Sequence, residues 1–237
     1  MSIEETVRRL SKAKVIAIVR AKNFDVAVRR GVELVNLGCK AIEVTTDSVR
    51  FPELLSELVR RVGDKCVVGV GTITTLEQLR VSRKHGAKFA LSPVNPKWNF
   101  VKQCHEMDIV AVPAAFSPQE IYDAFMQGAR CIKVFPAQLW TPNKFKSLRG
   151  IGEFGIMNLI PSGGISPETA KNWLDAGAFA VGMGSNLVGK DVRVDPNDTE
   201  TLHNSAIAWN REGRPRATKL FRSLNRSSKH SMLSSHL

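Results

Sequence analysis

No stretch of this sequence supplies the ~18 consecutive apolar residues that a membrane span needs, so no membrane partner is expected. No CxxC pair occurs among Cys39, Cys66, Cys104 and Cys131, and the five histidines have no HxxxH or comparable spacing. The first absence argues against a redox motif, and the second against a protein-bound metal. Cys39, Cys66 and Cys131 lie in or beside apolar runs, so the four are read as reduced, mostly buried thiols of an intracellular protein. The opening Met1-Ser2-Ile3-Glu4-Glu5 has no apolar signal core and two early acids, so neither a secretory signal nor a transit peptide is expected. The expected location is cytoplasmic.

What the sequence does have is ordinary for a soluble globular protein: 43% apolar and 24% charged residues over 237 positions. That length fits one domain of roughly 200–250 residues, the usual size of an α/β barrel. The net charge of +12 raises the possibility of a nucleic-acid partner, but its distribution argues against one. From Arg211 onward there are seven Lys/Arg and one Glu, which is half the excess in a Ser- and Arg-rich tail. Such a tail reads as solvated and disordered, with a phosphate-rich partner as the sharper alternative.

A repeated phrase carries the architecture. Leu37-Gly38-Cys39-Lys40-Ala41-Ile42, His85-Gly86-Ala87-Lys88-Phe89-Ala90, Gln127-Gly128-Ala129-Arg130-Cys131-Ile132 and Ala176-Gly177-Ala178-Phe179-Ala180-Val181 recur at intervals of 42–49 residues. Each places a glycine after a helical stretch, in the left-handed position that ends helices, and then starts a short apolar strand. Two βα units per interval imply eight strands, the others being Val15–Val19, Val67–Val70, Ile109–Val112 and Leu159–Ile160. Amphipathic helices are expected near 24–37, 51–62, 75–85, 117–127 and 166–176, with Ser117-Pro118 and Ser166-Pro167 as capped starts. The expected fold class is α/β, a (β/α)8 TIM barrel. The expected division is a barrel over 1–190, a C-terminal helix near 199–210 packing on it within 191–212, and a basic tail over 213–237 without order.

Lys133 stands in the apolar strand Cys131-Ile132-Lys133-Val134 and Glu43 in Ala41-Ile42-Glu43-Val44. A buried ammonium is costly, so its pKa falls, and a neutral amine is what attacks a carbonyl to form a Schiff base. Partial burial would raise a glutamate towards useful acid–base values. Because barrel strands converge at one mouth, Lys133 on the sixth strand and Glu43 on the second are placed to face one substrate. A structural Glu43–Lys133 ion pair is the plainer reading and is compatible with catalysis. Pro161-Ser162-Gly163-Gly164 and Gly182-Met183-Gly184-Ser185 follow the seventh and eighth strands. There, backbone N–H groups and the next helix start suit a phosphate. Arg20 and Thr72, at ends of the first and third strands, are further candidates for holding substrate charge.

These segments resemble the 2-keto-3-deoxy-6-phosphogluconate (KDPG) and 4-hydroxy-2-oxoglutarate aldolase family over roughly residues 5–190. Ile42-Glu43-Val44-Thr45, Gly69-Val70-Gly71-Thr72, Ser92-Pro93, Lys133-Val134-Phe135-Pro136-Ala137, Ser162-Gly163-Gly164-Ile165 and Gly184-Ser185 match its motifs in order. The resemblance implies Lys133 as the Schiff-base lysine and Glu43 as the general acid/base. It implies Arg20, Thr72, Pro93 and Phe135 around the substrate, and Ser162, Gly163, Gly164, Gly184 and Ser185 around its phosphate. It further implies a phosphorylated 2-keto acid substrate, no cofactor, no metal and a homotrimer. Asp47, Pro113-Ala114-Ala115, Gln138 and Ser162 depart from the family pattern, and Asp47 is expected to alter how the anionic substrate is held.

Two other readings fit parts of the sequence. One is another phosphate-binding barrel enzyme, such as a sugar-phosphate epimerase or a thiamine-phosphate synthase-like enzyme, which would not need Lys133 facing Glu43. The other is a non-catalytic barrel that binds phosphate-rich partners through its basic tail. Ser235-His236-Leu237 resembles the Ser-Lys-Leu peroxisomal address, and a plastid location after loss of a transit peptide is a further alternative.

Overall fold

The structure is a computed structural model that describes residues 1–233; the Ser235-His236-Leu237 motif lies outside the described residues. Its strands are β1 (Val15–Val19), β2 (Ala41–Thr45), β3 (Val67–Gly71), β4 (Phe89–Leu91), β5 (Val110–Val112), β6 (Ala114–Ala115), β7 (Ile132–Val134), β8 (Leu159–Pro161) and β9 (Val181–Met183). All observed pairings are parallel. Six strands form a curled sheet in the order β5-β4-β3-β2-β1-β9, and three form a second in the order β6-β7-β8. The fifth strand expected from the sequence is β5, and Pro113, which has no N–H for a ladder, separates it from the two-residue β6. The two sheets are linked at that break and by a parallel bridge between Ser162 and Gly182.

The helices expected near 24–37, 51–62, 75–85 and 117–127 are present at Phe24–Asn36, Phe51–Val62, Leu76–Lys84 and Pro118–Met126. Ser117 caps the last of these, accepting from the Glu120 N–H at 3.2 Å, with Pro118 in the first turn. The helix expected from 166 starts only at Ala170, since the Ser166 carbonyl accepts first from Thr169 and Ala170 and residues 167–169 form a turn. The repeated phrase has one physical cause. Gly38, Gly86, Gly128 and Gly177 all have φ between 88° and 112°. Each donates its N–H three residues back, and the following residue donates five back, as in Gly38 to Val35 (3.0 Å) and Cys39 to Leu34 (2.9 Å). This pair of bonds satisfies orphan carbonyls and aims the chain into the next strand.

Strand residues divide between two cores by their period of two. Val15, Ala17, Val19, Ile42, Val44, Val68, Val70, Ile132 and Val134 pack with the helices. Ile16, Ala41, Val67, Phe89, Leu91, Val110, Val112, Cys131, Ile160 and Ala180 form an inner cluster that Leu10 and Ala13 of the helix Ile3–Ala13 complete. All four cysteines are buried and none is bonded to another.

The C-terminal region differs from expectation. The helix Thr199–Ala208 buries none of its residues and continues through a wide turn, Trp209–Gly213, into a helix Arg214–Leu233. The expected packing helix therefore contributes through Trp209, and within the segment expected to lack order Arg214–Leu233 is helical. Ala217, Leu220 and Phe221 recur at spacings of three and four and are 0%, 5% and 2% exposed, a stripe that outweighs the basic composition. Arg214 and Arg216 pair with Glu33 and Glu168. Phe221→Ala is expected to cost about 3–5 kcal/mol and lower Tm by on the order of 10 °C in calorimetry; an undocked tail would leave Tm unchanged.

Candidate active site

Glu43 lies two residues beyond Ala41 and Lys133 two beyond Cys131, and both Ala41 and Cys131 belong to the inner cluster. The strand period therefore turns the glutamate and the lysine inward, one layer above an apolar floor. Along the order β2-β1-β9-β8-β7, with the Ser162–Gly182 bridge joining the chain leaving β8 to β9, the two strands are four steps apart. Glu43 is 1% exposed and Lys133 8%. Gly71 makes room for the carboxyl, since a Cβ there would stand 1.7 Å from Glu43 Oε1.

Burial lowers the Lys133 pKa; Glu43 opposes that shift and Arg20 adds to it. Burial raises the Glu43 pKa, opposed by Lys133 and Arg20 and reinforced by Asp47. Desolvation is the largest cause for both, so both are driven towards their neutral forms. The contact ion pair is not seen: among the described residues Glu43 and Lys133 form no bridge within 4.0 Å, and Glu43 Oε2 is buried without a hydrogen-bond partner in the protein. The Lys133 ammonium position lies 4.7 Å from the Phe135 ring centre. An amine whose neutral form is favoured is what attack on a ketone to form an imine requires.

The two groups open into a cavity of about 360 Å³ lined also by Arg20, Thr72, Pro93, Phe135, Ser162, Gly163, Gly164, Gly184 and Ser185. All eleven residues singled out in the sequence therefore meet in one place. Arg20 Nε donates to Asp47 at 3.1 Å and its Nη2 to Thr72 Oγ1 at 3.1 Å. Thr72 has φ of 64°, uncommon for a β-branched residue and the kind of strain that collects at functional sites. Ser162 is 1% exposed and its Oγ has no protein partner. Gly163 and Gly164 turn with φ of 103° and 72°. The helix after Gly184 is a single turn, Ser185–Val188, so peptide N–H groups rather than a long helix dipole are what that rim offers.

Gln138, Asn186 and Arg193 also line the cavity. Gln138 lies over the two glycines, with its Oε1 2.5 Å from where a Gly163 Cβ would stand. Arg193 belongs to no strand-end motif, and nothing in the local pattern marks it.

The arrangement is that of an enzyme handling a carbonyl, and the comparisons with known proteins agree. The chain belongs to the KDPG and KHG aldolase family, whose model matches residues 6–204; it is an aldolase, a lyase. It is 27% identical to the 2-dehydro-3-deoxy-6-phosphogalactonate aldolase of Escherichia coli over 75% of this chain and 85% of that protein. It is 28% identical to the KHG/KDPG aldolase of the same species over 77% and 84%. A KDPG aldolase from Legionella pneumophila, solved with pyruvate captured as a covalent carbinolamine, superposes with a TM-score of 0.71 over 92% of this chain and 97% of that one, at 22% identity.

The cost of burying Lys133 is measurable. A lowered pKa means that stability is lost as pH falls through the folded value and is recovered on approach to 10.5, where the unfolded lysine also loses its proton. Lys133→Met, which cannot ionise, is therefore expected to raise Tm by several degrees near pH 5, with the gain shrinking as pH rises. Thermal melts of both proteins from pH 5 to 10 check this; an unchanged or lower Tm near pH 5 would contradict it.

Proposed function

We propose that the chain cleaves 2-keto-3-deoxy-6-phosphogluconate to pyruvate and glyceraldehyde 3-phosphate through a Schiff base on Lys133. The same head group admits 4-hydroxy-2-oxoglutarate, which would give pyruvate and glyoxylate. The observation that carries this reading is the joint burial of Lys133 and Glu43 at one cavity whose other rim is the pair of glycine turns. The parallel sheets, joined at Pro113 and at the Ser162–Gly182 bridge, are read as one closed eight-stranded barrel. A homotrimer is read from the family.

Neutral Lys133 Nζ attacks the C2 ketone, and the carbinolamine loses water with Glu43 moving the protons. The iminium is an electron sink. Glu43 takes the proton of the C4 hydroxyl, the C3–C4 bond breaks, and the aldehyde leaves. The enamine takes a proton at C3, and water releases pyruvate and the free amine. Covalent catalysis divides one hard step into easier ones, and the remote phosphate positions the reacting carbons. The relatives' names divide between gluconate and galactonate substrates, which differ in configuration at C4. The C4 epimer is therefore the competing substrate to assay.

Incubation with pyruvate and borohydride, followed by peptide mass mapping, is expected to find a reduced pyruvyl adduct on Lys133. Lys133→Ala is expected to abolish the adduct and to lower kcat for cleavage by roughly 10³-fold or more. Folded protein without an adduct, or with one on another lysine, would contradict the mechanism.

A further inference from the structure

Four charged side chains line the cavity: Arg20, Glu43, Lys133 and Arg193. They are not equally available to a ligand. Arg20 is engaged by Asp47 and Thr72. Lys133 and Glu43 are buried and driven towards neutrality. Arg193 is exposed, and among the described residues its guanidinium forms no ion pair or hydrogen bond. A phosphomonoester carries close to two negative charges at neutral pH, and peptide N–H groups alone leave that charge unpaired.

The segment that carries Arg193 is held from below. Buried Arg30 donates to both carboxylate oxygens of Asp191, at 3.1 and 2.7 Å, and to the Val188 carbonyl at the end of the turn that begins at Gly184. The Trp209 ring covers the Arg30 guanidinium at 3.5 Å. The Val192 carbonyl accepts from the Lys22 N–H at 2.8 Å, and Val192 is 1% exposed. The backbone leading into Arg193 is therefore fixed, while its side chain is free at the rim. Fixed backbone with a free cation is the arrangement that binds an anion with little ordering cost.

We propose that Arg193 is the cation that binds the substrate's phosphate, a role that Asp47 leaves to it by occupying Arg20. This rests on the aldolase reading for its substrate but not for its binding test. Calorimetric titration of the full chain with glycerol 3-phosphate is expected to show binding that Arg193→Gln weakens roughly 10–100-fold, the range for losing a charge-assisted contact, and that Arg193→Lys restores in part. With Arg193→Gln, KM for the phosphorylated keto acid is expected to rise by a similar factor with little change in kcat. Cleavage of unphosphorylated 4-hydroxy-2-oxoglutarate and pyruvate trapping on Lys133 should stay within twofold. Unchanged glycerol 3-phosphate binding in Arg193→Gln would overturn the proposal, as would weakened pyruvate trapping with phosphate binding intact, which would place Arg193 at the carboxylate end. Failure of pyruvate trapping in the unsubstituted protein would count against the aldolase mechanism and leave the titration to decide Arg193 by itself.

Discussion

A lysine and a glutamate that the pleat turns inward must be desolvated, and much of the structure follows from accommodating them. The floor beneath them is apolar, built from alternate strand residues and closed by Leu10 and Ala13. Gly71 leaves space for the Glu43 carboxyl. Arg20 is held by Asp47 and Thr72. Burial acts in opposite directions on the two pKa values and in the same direction on their charge, towards neutral groups. Such desolvation costs stability, and the proposed function would use it, the usual relation between stability and activity.

The opposite rim is organised by a buried ion pair. Arg30 and Asp191 join the helix Phe24–Asn36 to the chain leaving β9, and Trp209 seals them from the C-terminal side. Removing one partner of such a pair leaves a buried charge uncompensated, which costs about 3–5 kcal/mol. The C-terminal helices therefore act on the site at one remove, through the backbone of the rim.

Much of this was legible in the sequence because short-range rules decide it. The four glycine phrases located the helix-to-strand turns, and a charged residue inside an apolar strand marked both buried ionisable groups of the cavity. All eleven chosen residues meet at one cavity because the register of parallel strands is fixed by the period of two. What was not legible depends on long-range contact. Arg193 is brought to the rim by Arg30, 163 residues earlier in the sequence. Asp47 departs from the family pattern, but its bond to Arg20 joins two loops. The Ala217-Leu220-Phe221 stripe was present in the sequence, and composition obscured it: charge and serine content describe the exposed face of that helix and not the face that docks.

Burial, rather than a contact carboxylate, favours the neutral form of Lys133 on which the proposed function depends. The most direct measurement is the pKa of Lys133 itself, by NMR titration of protein labelled at the lysine side chains, with Lys133→Met to assign the resonance. The account predicts titration clearly below 10.5, shifted further down in Glu43→Gln because the one group opposing the shift has lost its charge. A Lys133 that titrates with the surface lysines, or whose pKa rises in Glu43→Gln, would contradict it.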